Sequence, residues 1–148
     1  MLQRIQTIFL LITIAFNALL FKVNFYSLKV NGNDLYYTAW QSINVGSNEI
    51  HFNILHILLQ FALISLTLYT IFKYKDRKMQ MKFCIYLIAG TLISFAFALY
   101  NLFTTNYSEY HFGFGSYLIS LLVILYICAY FFIKRDEDLV RSADRLRE

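Results

Sequence analysis

Residues 83–103 read FCIYLIAGTLISFAFALYNLF, twenty-one positions without a single Asp, Glu, Lys, Arg or His. A helix of a water-soluble domain keeps its apolar residues to one stripe, whereas this run is apolar on every side. About 17–25 residues of that kind carry a helix across a bilayer. Three further stretches, 5–21, 54–72 and 113–133, share the character at 17, 19 and 21 residues, and His56 is the one side chain among them that could titrate near neutral pH. The chain of 148 residues therefore reads as a single all-α integral membrane domain over 1–148, a four-helix transmembrane bundle.

The positive charges give the orientation. Of thirteen Lys and Arg residues, Arg4 precedes the first stretch, Lys73, Lys75, Arg77, Lys78 and Lys82 lie between the second and third, and Lys134, Arg135, Arg141, Arg145 and Arg147 follow the fourth. Only Lys22 and Lys29 fall on the other side. The positive-inside rule then places both termini in the cytoplasm, in a multi-pass protein of a cell inner membrane. The first stretch is expected to be retained, because no small-x-small cleavage site follows Phe21. The tail's five basic residues are matched by Asp136, Glu137, Asp138, Asp144 and Glu148, so no basic face for nucleic acid is built. Cys84 and Cys128 form no CxxC pair and read as packed thiols.

The connecting segments differ in kind. Residues 22–53 form the one sizeable extracytoplasmic loop, and Asn31-Gly32 within it signals a tight hairpin turn. The flanking runs 23–30 and 35–41 are rich in Val, Tyr, Phe, Thr and Trp, so a small β-hairpin-like cap is expected over the bundle. Aromatic residues crowd the loop near 104–117, as amphipathic rings do at a membrane interface. Beyond Lys134 no Gly or Pro breaks the helix, and Leu139, Val140, Ala143 and Leu146 share one face. The tail 134–148 reads as a short cytoplasmic amphipathic helix in which Glu137 and Arg141 are spaced to pair.

The opening Leu2-Gln3-Arg4-Ile5-Gln6-Thr7 resembles the start of an uncharacterised family of small Bacteroidetes membrane proteins. The closing run from Lys134 to Arg147, KRDEDLVRSADRLR, is similar to the C-terminal signature of that domain-of-unknown-function family. The resemblance covers the whole chain. It implies four spans and a bacterial cytoplasmic membrane, and it brings no catalytic residues.

The chemistry carried by the spans is sparse. Pumps and carriers place carboxylates or ammonium groups inside their helices and break them with Gly or Pro. Here there is no proline, and Gly90 is the one glycine deep in a span. Asn17 and Gln60 fall at similar depth and can bond between helices one and two, while Gly90, Ser94 and Ala98 form a small-residue packing stripe. His51, His56 and His111, with Glu109, are the only metal candidates, but their spacing matches no HExxH or helical pair. Gly113-Phe114-Gly115 lacks the third glycine of a dinucleotide loop and reads as a close-packing point. No catalytic group, cofactor or metal site is expected. The reading is a non-catalytic accessory or scaffold protein that meets lipid, and a protein partner or second copy, through Trp40 on the cap and Leu139, Ala143 and Leu146 on the tail. A membrane enzyme with an outer-face metal, or a lipid or small-solute carrier, are the alternatives.

Overall fold

The computed structural model describes residues 3–30, 32–45 and 49–145. In chain order the elements are α1 (Gln3–Leu19), β1 (Asn24–Val30), β2 (Asn33–Thr38), β3 (Gln41–Asn44), β4 (Glu49–Phe52), α2 (Ile54–Phe72), α3 (Arg77–Thr104), β5 (Glu109–Phe112) and α4 (Phe114–Arg145). Three of the helices, α2, α3 and α4, are long and apolar enough to cross a membrane. The fourth, α1, stops at Leu19 with 17 residues, short of the Phe21 at which its apolar stretch ends. There the ladder tightens to i→i−3 bonds, Phe21 N to Ala18 O (3.4 Å) and Lys22 N to Leu19 O (2.9 Å), and the chain swings into β1.

Helix α2 matches its apolar stretch end to end, whereas α3 and α4 outrun theirs. Asp76 caps α3 by accepting a bond from Met79 N at 3.1 Å, so six residues from Arg77 to Lys82 join the helix instead of the loop. Nothing interrupts α4 for 32 residues, about 48 Å at 1.5 Å per residue. Its last turns bring Glu137 to 3.9 Å from Arg77 at the start of α3, in place of the pairing with Arg141 that its own helix offers.

Each helix packs on its sequence neighbours, and α1 closes the ring against α4. The buried positions follow one rule on every helix. They run Gln6, Leu10, Thr13, Asn17 on α1; His56, Gln60, Leu63, Thr67, Thr70 on α2; Gln80, Cys84, Leu87, Thr91, Ser94, Ala98, Leu102 on α3; and Leu118, Leu122, Tyr126, Ala129, Ile133, Asp136 on α4. Almost all are separated by steps of three or four, with Ile119 beside Leu118 as an extra buried position on α4, the seam of helices that pack at a shallow angle. The outward positions carry large apolar side chains such as Ile8, Leu58, Phe61, Ile93, Tyr100 and Ile124. A soluble bundle has the opposite arrangement.

At one end of the bundle lies an antiparallel sheet of five strands in the order β4-β3-β2-β1-β5. The Asn31-Gly32 signal marks its central hairpin: Val30 pairs with Asn33, and Gly32 has φ +82°. The expected two strands are thus part of a larger sheet. A lone hairpin is marginal, and here β3 and β4 extend one side while β5, from the loop between α3 and α4, closes the other. The register slips between Asn24 and Tyr26, a bulge that points both Phe25 and Tyr26 into the core. It also aims the Phe25 carbonyl at α4, where Gly113 N (2.8 Å) and Ser116 Oγ (2.6 Å) donate to it.

The β1–β5 seam is clipped by Lys29 Nζ to Glu109 Oε2 at 2.8 Å, both side chains half exposed. The hydrogen bond and charge of Lys29 hold the Glu109 carboxyl below the ordinary glutamate range, and Glu109 holds the Lys29 ammonium above its own. A lowered carboxylate contributes above its unfolded pKa and is lost as pH falls through its folded one; a raised ammonium is lost only as pH rises through its folded value. Neutral pH lies inside both limits. Protection of the His111 amide, its exchange taken relative to the intrinsic rate at each pH, is therefore expected to be flat near neutrality, to fall on acidification below the carboxylate range, and to fall with salt at neutral pH. Equal exchange in Glu109→Gln under all these conditions would remove the clip from the account.

Candidate functional site: a polar seam inside the bundle

The inward stripe of each helix contains groups that hydrocarbon cannot satisfy, and the packing brings them together. Asn17 is the hub. Its Nδ2 donates to Tyr126 Oη at 3.0 Å and to Thr13 O at 2.7 Å, while its Oδ1 accepts from Gln60 Nε2 at 2.7 Å. Thr67 Oγ1 lies 3.0 Å from the same Tyr126 hydroxyl. One phenol thus ties α1, α2 and α4 across the middle of the bundle. Such links contribute about 0.6 kcal/mol each on average in membrane helices, up to roughly 2. Towards the end away from the sheet, Gln80 Nε2 donates to Thr70 O at 2.9 Å, tying α3 to the end of α2.

Towards the sheet the seam ends on His56, fully buried. Its Nε2 is 2.8 Å from Ser94 Oγ on α3, and its Nδ1 is 3.3 Å from Tyr37 Oη on β2. Asn101 Nδ2 donates to that phenol oxygen at 3.4 Å, so α2, α3 and β2 meet at the Tyr37 hydroxyl. Phe25 and Phe97 close around the ring at 5.1 and 5.8 Å. Tyr37 is itself stacked on Tyr26 at 4.8 Å, and burial pushes both phenols well above the usual tyrosine range. A serine beside an imidazole is the pairing of a nucleophile with its base. Here Ser94 is 1% exposed and His56 0%, and the trio joins the sheet to α2 and α3.

The residues singled out from the sequence fall into distinct places. Asn17 and Gln60 meet. The Gly90, Ser94, Ala98 stripe faces inward within one chain: a Cβ on Gly90 would stand 2.7 Å from Leu63 Cδ2 on α2, and Ser94 holds His56. Gly113 and Gly115 lie where β1 crosses the start of α4, with Asn24 O 2.3 and 2.9 Å from the Cβ each would carry. Of the metal candidates only Glu109 and His111, two positions apart on β5, are neighbours, and Glu109 is taken by Lys29. His51 sits on β4 and His111 on β5, the two edges of the sheet and about 19 Å apart at four strand spacings, while His56 is enclosed beneath it. Among the described residues no three His, Cys, Asp or Glu side chains form a group that could hold a metal ion. Trp40 and Leu139 are exposed, Ala143 lies in α4, and Leu146 falls outside the described residues.

Tyr126 and Thr13 carry much of the seam and did not stand out in the sequence, whereas Thr67 is legible there as a polar residue within an apolar stretch. Their signal was the spacing by three and four steps through polar residues, which is visible once helix faces are drawn. No curated protein and no solved structure matches the chain. Its sequence does match, over residues 2–146, the family described as a domain of unknown function, DUF4293, and with nearly its whole length inside that match the chain belongs to this family.

Proposed function

We propose that this protein is a non-catalytic accessory or scaffold protein of the bacterial inner membrane, in the Bacteroidetes lineage its sequence resembles. In this reading all four helices span the bilayer, the sheet lies outside, and both termini are cytoplasmic. The observation that carries it is the inverted polarity of the bundle. Large apolar side chains face outward along all four helices, while Asn17, Gln60, Thr67 and Tyr126 bond to one another inside. Water would solvate that seam and reject that exterior; hydrocarbon does the reverse. The short α1 is served by the turn that follows it, in which Leu20 and Phe21 add apolar length before Lys22. The clusters Arg77–Lys82 and Lys134–Arg141 lie at the end opposite the sheet, which supports the orientation.

The scaffold role rests on α4. It continues twelve residues past Ile133, about 18 Å, with Leu139 and Val140 exposed and Glu137 set against Arg77. A projecting helix with an apolar face is an element on which another helix docks. Replacing Leu139 with a photoreactive residue in native membranes is expected to give a discrete protein adduct, and recovery of lipid adducts alone would end the scaffold reading. Orientation is checked with a membrane-impermeant thiol reagent applied from outside, which should label Asp34→Cys and spare Ser142→Cys. The reverse pattern would invert the topology.

A further inference from the structure

The side of the sheet farthest from β5 has an unusual surface. Trp40, in the β2–β3 turn, packs edge-on against Phe21 at 6.2 Å and against Phe52 of β4 at 6.0 Å. Phe21 in turn meets Phe61 of α2 at 5.4 Å. The rings form a continuous string from the outward face of α2 to the edge of the sheet. Trp40 is 42% exposed, Phe52 59% and Phe61 53%. Asn53 N donates to Trp40 O at 3.1 Å, which fixes this turn at the mouth of α2, beside exposed Ile54 and Leu55. No charged side chain belongs to the string.

We infer that the turn bearing Trp40 and the strand bearing Phe52 are seated in the lipid head-group boundary of the outer leaflet, so that the cap is anchored to the bilayer and not only to the bundle. The inference rests on the membrane-spanning reading above. Continuity decides the occupant. The exposed apolar surface of α2 continues through ring contacts from Phe61 to Phe21, Trp40 and Phe52, and a tryptophan at the end of such a surface is placed where its amphipathic ring prefers to lie. The opposite edge repeats the arrangement. On β5, Tyr110 and Phe112 share a face with Leu28 and Tyr26 of β1, the bundle side, yet remain about half exposed because they overhang the helices.

The test needs no substitution, because Trp40 is the only tryptophan in the chain. The full protein is reconstituted in phosphatidylcholine–phosphatidylglycerol vesicles, floated to establish insertion, and titrated with two quenchers. Lipids brominated near the head-group end of the acyl chain are expected to lower Trp40 emission roughly twofold or more, as for a ring about 5–10 Å into the boundary, with aqueous acrylamide having little effect. Quenching by acrylamide and not by bromolipid, in protein that floats, would overturn the inference and leave the spanning reading intact. Shielding from both quenchers would overturn it too, and would assign the surface to a protein partner or second copy. Failure to float would remove the spanning reading itself.

Discussion

Gly113→Ala is expected to detach the sheet from the helices and to cost the largest single loss of stability in the molecule. The new Cβ would stand 2.3 Å from the carbonyl oxygen of Asn24 and 2.9 Å from its carbon. Both are backbone atoms, so no rotamer relieves the clash, and β1 must move away from the start of α4. Overpacking alone costs about 1–3 kcal/mol. Moving β1 also breaks the bonds from Gly113 N and Ser116 Oγ to Phe25 O, roughly 1 kcal/mol each. Together these predict a loss of about 3–5 kcal/mol. Gly115→Ala, at 2.9 Å from the same oxygen, should behave similarly but less severely. Gly32→Ala is the contrast. It meets nothing within 4 Å, and its penalty is only the roughly 1 kcal/mol of placing a side chain at positive φ. Unfolding in mild detergent measures all three, and equal stability of the Gly113 and Gly32 variants would contradict the close approach of β1 to α4.

Replacing Asn17 with Leu is expected to give the second large effect, inside the bundle. Three hydrogen bonds disappear together, to Tyr126, to Thr13 O and from Gln60. Gln60 then keeps only a 3.3 Å bond to the Asn17 carbonyl, and its own Oε1 already accepts no bond among the described residues. Lost interhelical bonds at about 0.6–2 kcal/mol each, plus the cost of a stranded donor, predict about 2–4 kcal/mol. Tyr126→Phe should cost about 1 kcal/mol, because the ring still fills its site. The double variant is the sharper measurement. A coupling of at least about 0.5 kcal/mol is expected for groups in contact, and additivity within about 0.3 kcal/mol would mean that the two side chains do not bond.

Much of this organisation is legible residue by residue. The apolar stretches locate the helices, and the Asn31-Gly32 step locates the central hairpin, because each depends on local preference. The five-stranded sheet is not legible in that way. Its outer strands are four residues each, too short to carry an alternating pattern, and β5 joins β1 across about 80 residues of chain. The candidate site divides along the same line. Asn17 and Gln60 stand out as polar groups in apolar runs, whereas Tyr126 does not, because its ring passes for one more large apolar side chain within the run. His56 reads as a metal candidate from its type alone; Ser94 and Tyr37, which hold its two nitrogens, lie 38 and 19 positions away.

The sequence by itself determined where the chain is apolar on all sides, which end of each stretch carries positive charge, and where one tight turn falls. These follow from transfer free energy and backbone freedom, which belong to single residues and their immediate neighbours. Only the tertiary structure decided that α1 and α4 close the ring, that a loop after α3 completes the sheet, and that one tyrosine joins three helices. Those are pairwise facts. A hydrogen bond exists only when packing sets two groups within about 3 Å, and helix order and register that do so are properties of the whole chain.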